Sequence, residues 1–317
     1  MPLPVTARPA DEVLAELDDL QRDDVRWREG RAFTLAYHAG DEVKALADEA
    51  SRRFSAANAL NPDAFPSLRR LQRDVVDIVG RWLDAPPEAA GFVTSGGTES
   101  LLMAVKAART RGRRKGDIVT PNMVLPASAH AAFEKAAAYF GVESRRIAVR
   151  QDWRADVDAM AAAMDDDTVL LVGSAPQYPQ GVIDPIADIA ALADAADVNC
   201  HVDACMGGIT LPYLRRMGRP VPPWDFEVAG VTSMSVDLHK FGYTTKGASV
   251  IVHRDHQRRA DQTFVTDNWL GGRYASPSVL GTRGGGPIAA AWAVLQHVGD
   301  EGYLRLAQAA RRATERL

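Results

Sequence analysis

Cysteine is nearly absent. Only Cys200 and Cys205 occur in 317 residues, too few and too close together for a disulfide framework. Both lie in one short apolar run, so reduced, partly buried thiols are expected. Long apolar runs are also missing, and no stretch approaches the ~20 residues that a membrane-spanning helix needs. The N-terminus, MPLPVTARPADEVLAELDDL, has no apolar core and turns acidic at once, which is not the pattern of a secretory signal. Together these absences predict a cytoplasmic protein without a transmembrane segment. No basic excess exists either. The 37 Lys+Arg face 41 Asp+Glu for a formal net charge of −4, so no nucleic-acid partner is expected. Lysine is the rare base, found only at positions 44, 106, 115, 135, 240 and 246. The scarcity reads as compositional bias, but it makes Lys240 and Lys246, inside one polar and aromatic stretch, conspicuous.

The remainder is ordinary for a globular chain, with 46% hydrophobic and 25% charged residues. The core is large enough that neither disulfides nor a structural metal is required. At ~150 residues per domain the length suggests about two domains. Residues 1–20 read as an amphipathic helix after a proline-rich start, and 41–57 and 68–83 as helices. The stretch NALNPDAFP, 58–66, reads as an irregular loop. From Gly91 onward, short apolar strands alternate with longer helical patterns: GFVT, DIVT, NMVLP, RRIAV, TVLLVGS, NCHVDA, VTSMSV and ASVIVH are strand-like. That alternation predicts an α/β fold with a mainly parallel sheet. Residues 286–317 read as two helices. There is no internal repeat.

In such a sheet, ligands gather at the carboxyl ends of strands, and unusual polar residues fall there. Ser95-Gly96-Gly97-Thr98-Glu99-Ser100 follows the strand GFVT and opens a helix. Its glycines and free helical N–H groups could cradle a phosphate, although a plain strand-to-helix turn has the same composition. His201, Asp203 and Cys205 alternate onto one side of the strand NCHVDA. The carboxylate could hold a protonated ring nitrogen, a metal could use all three side chains, or the segment could be a buried polar strand end. Lys240, after SVDLH, is a candidate Schiff-base amine, since burial and neighbouring positive charge favour the neutral nucleophile; a solvated loop lysine is the alternative. His130 begins a helix after NMVLP. A phosphate cradle, a carboxylate and a lysine, each at a strand end, form the set that pyridoxal phosphate requires.

SGGTESLLMAVKAAR, SAHAAFEKA, HVDACMGG, SMSVDLHKFGYTTKGASVIVHR and GGRYASPSVLGTRGG, with the loop at 58–66, resemble the pyridoxal-phosphate-dependent group II decarboxylase family. Within it they are most similar to the lyases acting on phosphorylated sphingoid bases. The resemblance implies a fold-type-I transferase-like large domain and a homodimer with sites at the subunit interface. It implies that 1–60 form an N-terminal helical segment, 61–290 the cofactor-binding large domain, and 291–317 the start of a truncated C-terminal region whose small domain is missing. Lys240 would carry the cofactor, Asp203 would pair with its ring nitrogen, and His130 would stack on the ring. Gly97, Thr98, Ser235 and His239 would hold the phosphate, and Thr282 would approach that of the neighbouring subunit. Tyr37, Asn61, Tyr243 and Lys246 would face the substrate, and no resident metal is implied. The implied reaction is retro-aldol cleavage of a phosphorylated amino alcohol to an aldehyde and phosphoethanolamine. Amino-acid decarboxylation, and a cofactor-binding protomer without turnover, remain alternatives. Asn61, Leu238, Arg273 and Gly285 depart from the family pattern, and two of them, Asn61 and Arg273, fall in regions implied to line the substrate site.

Overall fold

A computed structural model describes residues 2–30, 35–116 and 118–316. The chain divides into two compact units, Met1–His38 and Ala39–Leu317. The first contains α1 (Ala10–Leu20), which opens with Asp11 and Glu12 and buries none of its residues. Acidic residues there complement the positive end of the helix dipole.

The second unit runs α2 (Asp41–Arg53), α3 (Pro66–Trp82), β1 (Ala90–Thr94), α4 (Gly97–Lys115), β2 (Asn122–Pro126), α5 (Ala132–Phe140), β3 (Glu143–Ile147), α6 (Val157–Ala162) and β4 (Thr168–Ser174). It continues with α7 (Ile186–Ala195), β5 (Asn199–Asp203), α8 (Thr210–Arg216), β6 (Ser233–Asp237), β7 (Ser249–His253), α9 (His256–Gln262), a hairpin β8 (Phe264–Thr266) and β9 (Tyr274–Ser276), and α10 (Gly286–Thr314).

The central sheet has the order β1-β7-β6-β5-β4-β2-β3. The pairs from β6 through β5, β4 and β2 to β3 are parallel, and β7 runs against both of its neighbours. All strands but β7 therefore end at the same edge. The inner strands are apolar runs because helices cover both faces. One face packs Leu171, Val202, Met234 and Val250 with Val75, Ile189, Tyr213 and Ile288 from α3, α7, α8 and α10. The other packs Phe92, Leu170 and Ile251 with Leu101, Val105 and Phe133 from α4 and α5. Each fully buried aliphatic side chain contributes roughly 1.5–3 kcal/mol. A small cluster of Ala47, Ala290 and Val294 joins α2 to α10. Among the described residues, no helix is long and apolar enough to cross a membrane.

Most strand patterns lie where the sequence places them. Two differ. Residues 118–120 of DIVT form no strand, and Asp117 lies outside the described residues. RRIAV shifts two residues upstream because β3 pairs with β2 from Asn122 opposite Glu143 onward. The last helix is broken at Gly299, whose φ of 61° and ψ of 174° are not helical.

Candidate active site

The common strand edge brings the polar signals together. Thr94 on β1 and Asp237 on β6 are both opposite Ser249 of β7. The turns that follow them, Ser95–Gly96 and Leu238–Lys240, are thereby neighbours. Asp203 ends β5 opposite Ser235. Helix α4 is locked into this edge by buried hydroxyls: Ser100 Oγ lies 2.7 Å from Thr94 Oγ1 and 2.9 Å from Ser249 Oγ.

Lys240 lies just past β6, with its side chain 16% exposed and Nζ 2.9 Å from Asp237 Oδ2. Burial by itself pushes this ammonium down, but Asp237, followed by Cys205 and Asp203, outweighs burial and holds it above the usual lysine value. The sequence reading of an amine lowered by burial and a cationic neighbour is therefore corrected. The carboxylate three residues upstream governs Lys240, not His239. The same Asp237 Oδ2 is 3.6 Å from His239 Nε2. Burial, opposed by Asp237 and reinforced by Lys246 and Lys240, pushes the His239 imidazole below its usual value. Lys246 Nζ donates to the His239 carbonyl at 3.2 Å, and burial lowers its ammonium as well.

Gly97, the first residue of α4, packs directly on this group. A Cβ there would lie 2.8 Å from both Asp237 carboxylate oxygens and 3.0 Å from Cys205 Sγ. Gly96, at φ +154°, faces His239 Cε1. No side chain caps α4, and Thr98 is exposed on its first turn. Glu99 is buried and ties two loops together. It accepts from Ser95 N at 2.6 Å, from Val279 N at 2.9 Å and from the Ser278 hydroxyl. Burial alone would raise its carboxyl, but these bonds hold it below the usual carboxylate range. Arg283 donates to the Val93 carbonyl at 2.7 Å, which fixes the loop on which Thr282 stands exposed.

Asp203 accepts from Cys205 N at 3.1 Å. Ser235 is fully buried between His201 and Asp203. His130 is exposed before α5, and its Nδ1 accepts from Ala132 N at 3.1 Å. Asn61 is exposed and closes its loop by accepting from Ala64 N at 3.3 Å. Tyr243 adopts a positive φ of 58° and, with Phe241, Tyr213 and Tyr303, lines an apolar cavity of about 210 Å³. Tyr37 belongs to the first unit, where it is partly buried. Both cysteines are free and buried. Among the described residues, no group of three or more His, Cys, Asp or Glu could hold a metal ion. Asp237 and Glu99 carry no role in the sequence reading. An acid three residues before a rare lysine, and another in the first turn after Gly-Gly, were the available signals.

Residues 3–317 match the pyridoxal-dependent decarboxylase conserved domain. The chain belongs to this family. Its cofactor is pyridoxal 5'-phosphate. The chain is 46% identical over 303 residues to sphingosine-1-phosphate lyase 1 of Rattus norvegicus, covering 95% of this chain and 53% of the relative. A sphingosine-1-phosphate lyase structure from Burkholderia pseudomallei superposes with a TM-score of 0.94 at 41% identity, covering 98% of this chain and 73% of that one. A probable L-tyrosine/L-aspartate decarboxylase of Methanothermobacter thermautotrophicus is 36% identical over 265 residues, covering 83% of this chain and 71% of the relative. The chain spans about half the length of the curated lyases it matches.

The decarboxylase-family site has the fittings for that cofactor. His239 Nδ1 and Asp237 Oδ1 are buried with no hydrogen-bond partner among the described residues. The Gly96–Gly97 turn lets backbone come close where a side chain could not. An uncapped helix N-terminus suits a phosphate, and a lysine and a carboxylate lie on the same edge.

Proposed function

We propose that this chain is a pyridoxal-phosphate-dependent carbon–carbon lyase. Its substrate is a phosphorylated sphingoid-base-like amino alcohol, cleaved to an aldehyde and phosphoethanolamine. The observation that carries the reading is the convergence of Lys240, Asp203 and the Gly97 helix start on one strand edge, in a chain 46% identical to a sphingosine-1-phosphate lyase.

Lys240 is the amine that would hold the cofactor, and Asp237 Oδ2, 2.9 Å from Nζ, holds its proton. Asp203 would pair with the ring nitrogen and keep it protonated, and His130 would stack on the ring. Gly97, Thr98 and His239 would surround the phosphate, and Thr282 would reach that of the neighbouring copy; Ser235, expected there from the sequence, is instead buried between His201 and Asp203. When bound, pyridoxal phosphate supplies an electron sink for the carbanion left as the Cα–Cβ bond parts. Lys246 would bind the substrate phosphate by charge, and Asn61 and Tyr243 would orient its polar end. The working form is a cytoplasmic homodimer with sites at the subunit interface.

Amino-acid decarboxylation is the second reading, favoured by the 36% identity to a probable L-tyrosine/L-aspartate decarboxylase. The deciding experiment incubates the purified protein with pyridoxal phosphate and either a sphingoid-base phosphate or amino acids. The lyase gives a long-chain aldehyde, and the decarboxylase gives carbon dioxide. Cofactor absorbance without either product marks a binding protomer without turnover.

A further inference from the structure

Asp203 is backed by a buried polar block. His201 is fully buried. Its Nδ1 lies 2.9 Å from Ser233 Oγ, and its Nε2 3.2 Å from Ser235 Oγ. Ser235 Oγ lies 3.5 Å from Asp203 Oδ1 and 3.4 Å from Cys205 Sγ. Strand register produces the block, since His201 is opposite Ser233 and Asp203 is opposite Ser235. The Phe133 ring, from the helix that His130 precedes, meets the His201 ring edge-to-face with centroids 6.2 Å apart.

Burial, with His253 adding to it, pushes the His201 imidazole down to about 3, so the ring is neutral. A neutral imidazole has one donor and one acceptor, and each serine hydroxyl has one proton to donate. One assignment satisfies every atom when the Asp203 carboxylate only accepts. Ser235 O–H donates to Asp203, His201 Nε2–H donates to Ser235, and Ser233 O–H donates to His201 Nδ1. Reversing the chain would set the Ser235 lone pairs against the carboxylate. In a buried network an unmade bond is costly.

We propose that Ser235 and His201 are positioning residues for Asp203, orienting its carboxylate so that it holds a proton on the ring nitrogen of the bound cofactor. The inference rests on the assignment of Asp203 to that nitrogen. It gives Ser235 a role behind the carboxylate in place of a phosphate contact. The relay is continuous across β6 and β5 and reaches the site through Asp203, with Cys205 Sγ as a second neighbour of Ser235 Oγ.

Two measurements test it. The first uses the unmodified 317-residue protein with ¹⁵N-labelled histidine and no cofactor. The relay requires the His201 proton on Nε2, and a proton on Nδ1 overturns it. The second uses ¹⁵N-labelled pyridoxal phosphate with Ser235→Ala, Ser235→Thr and Asp203→Ala proteins whose folding is checked by thermal melts. Ser235→Ala should move the ring-nitrogen resonance toward the unprotonated position and weaken cofactor binding about tenfold, the size expected for losing a hydrogen bond to a charged group. Ser235→Thr, which keeps the hydroxyl, should restore both. An unchanged resonance in Ser235→Ala, with a shifted one in Asp203→Ala, overturns the relay alone. An unchanged resonance in Asp203→Ala overturns the underlying assignment. The tautomer measurement decides the matter by itself if Ser235→Ala does not fold.

Discussion

Lys240 Nζ is 2.9 Å from Asp237 Oδ2, an acid at the end of the same strand, three residues earlier. The pair holds the amine in its charged form against the pull of burial. Asp237→Asn removes the charge and keeps the shape. The Lys240 ammonium should then titrate at least one unit lower, as expected when a close opposite charge is lost. Capture of added pyridoxal phosphate at pH 7, followed by visible absorbance, should become about tenfold faster, since one unit is a tenfold change in neutral amine. An unchanged rate against pH would remove Asp237 from control of the amine.

Gly97 is required by contact, not by backbone conformation. A Cβ would meet the Asp237 carboxylate at 2.8 Å and Cys205 Sγ at 3.0 Å. Gly97→Ala should cost about 1–3 kcal/mol of stability through overpacking and weaken cofactor binding more than tenfold. Thermal melts and a cofactor titration give both values. Full cofactor affinity in Gly97→Ala would show that the cradle does not depend on this contact.

Glu99 connects the Ser95 turn to the Ser278–Val279 loop. Glu99→Ala should lower stability by about 2 kcal/mol, because three donors to a buried carboxylate lose their acceptor. The loop around Thr282 should also become more open to protease. A cleavage rate equal to that of the parent protein would mean that Arg283 alone holds the loop.

Acid should destabilise the fold through its buried histidines. Burial pushes His201 down to about 3, and pushes His253 down to about 4 against its hydrogen bond to Gln262. Both folded values lie below the unfolded value of ~6.5, so their stabilisation is complete above that value and is lost as pH falls toward the folded ones. Between pH 7 and pH 5 each should remove about 2 kcal/mol. Denaturant unfolding at the two pH values measures the difference, and His253→Gln should reduce it by about half.

The strands and the order of the site signals were legible in the sequence because period and spacing are local. β2 and β4 lie at the boundaries their apolar runs indicate. Short elements such as α8, α9 and the β8–β9 hairpin carry too few residues for a periodic signal. DIVT has strand-forming residues, yet residues 118–120 form no strand. Contacts across the sheet were not legible either. Glu99 meets Ser278 from 179 positions away, and the Ser235–His201 bond depends on the register of β5 against β6. The direction of the Lys240 shift is hidden from the sequence for a related reason. Histidine next to lysine is visible in sequence, whereas the Asp237 carboxylate beside Nζ depends on how the chain turns after β6.

The most direct test of the account is borohydride reduction of the protein mixed with pyridoxal phosphate, followed by peptide mapping. The chain has six lysines, and the account predicts stable labelling of Lys240 alone, lost in Lys240→Ala with its visible absorbance. Labelling of another lysine in place of Lys240, or absorbance retained in Lys240→Ala, would contradict it.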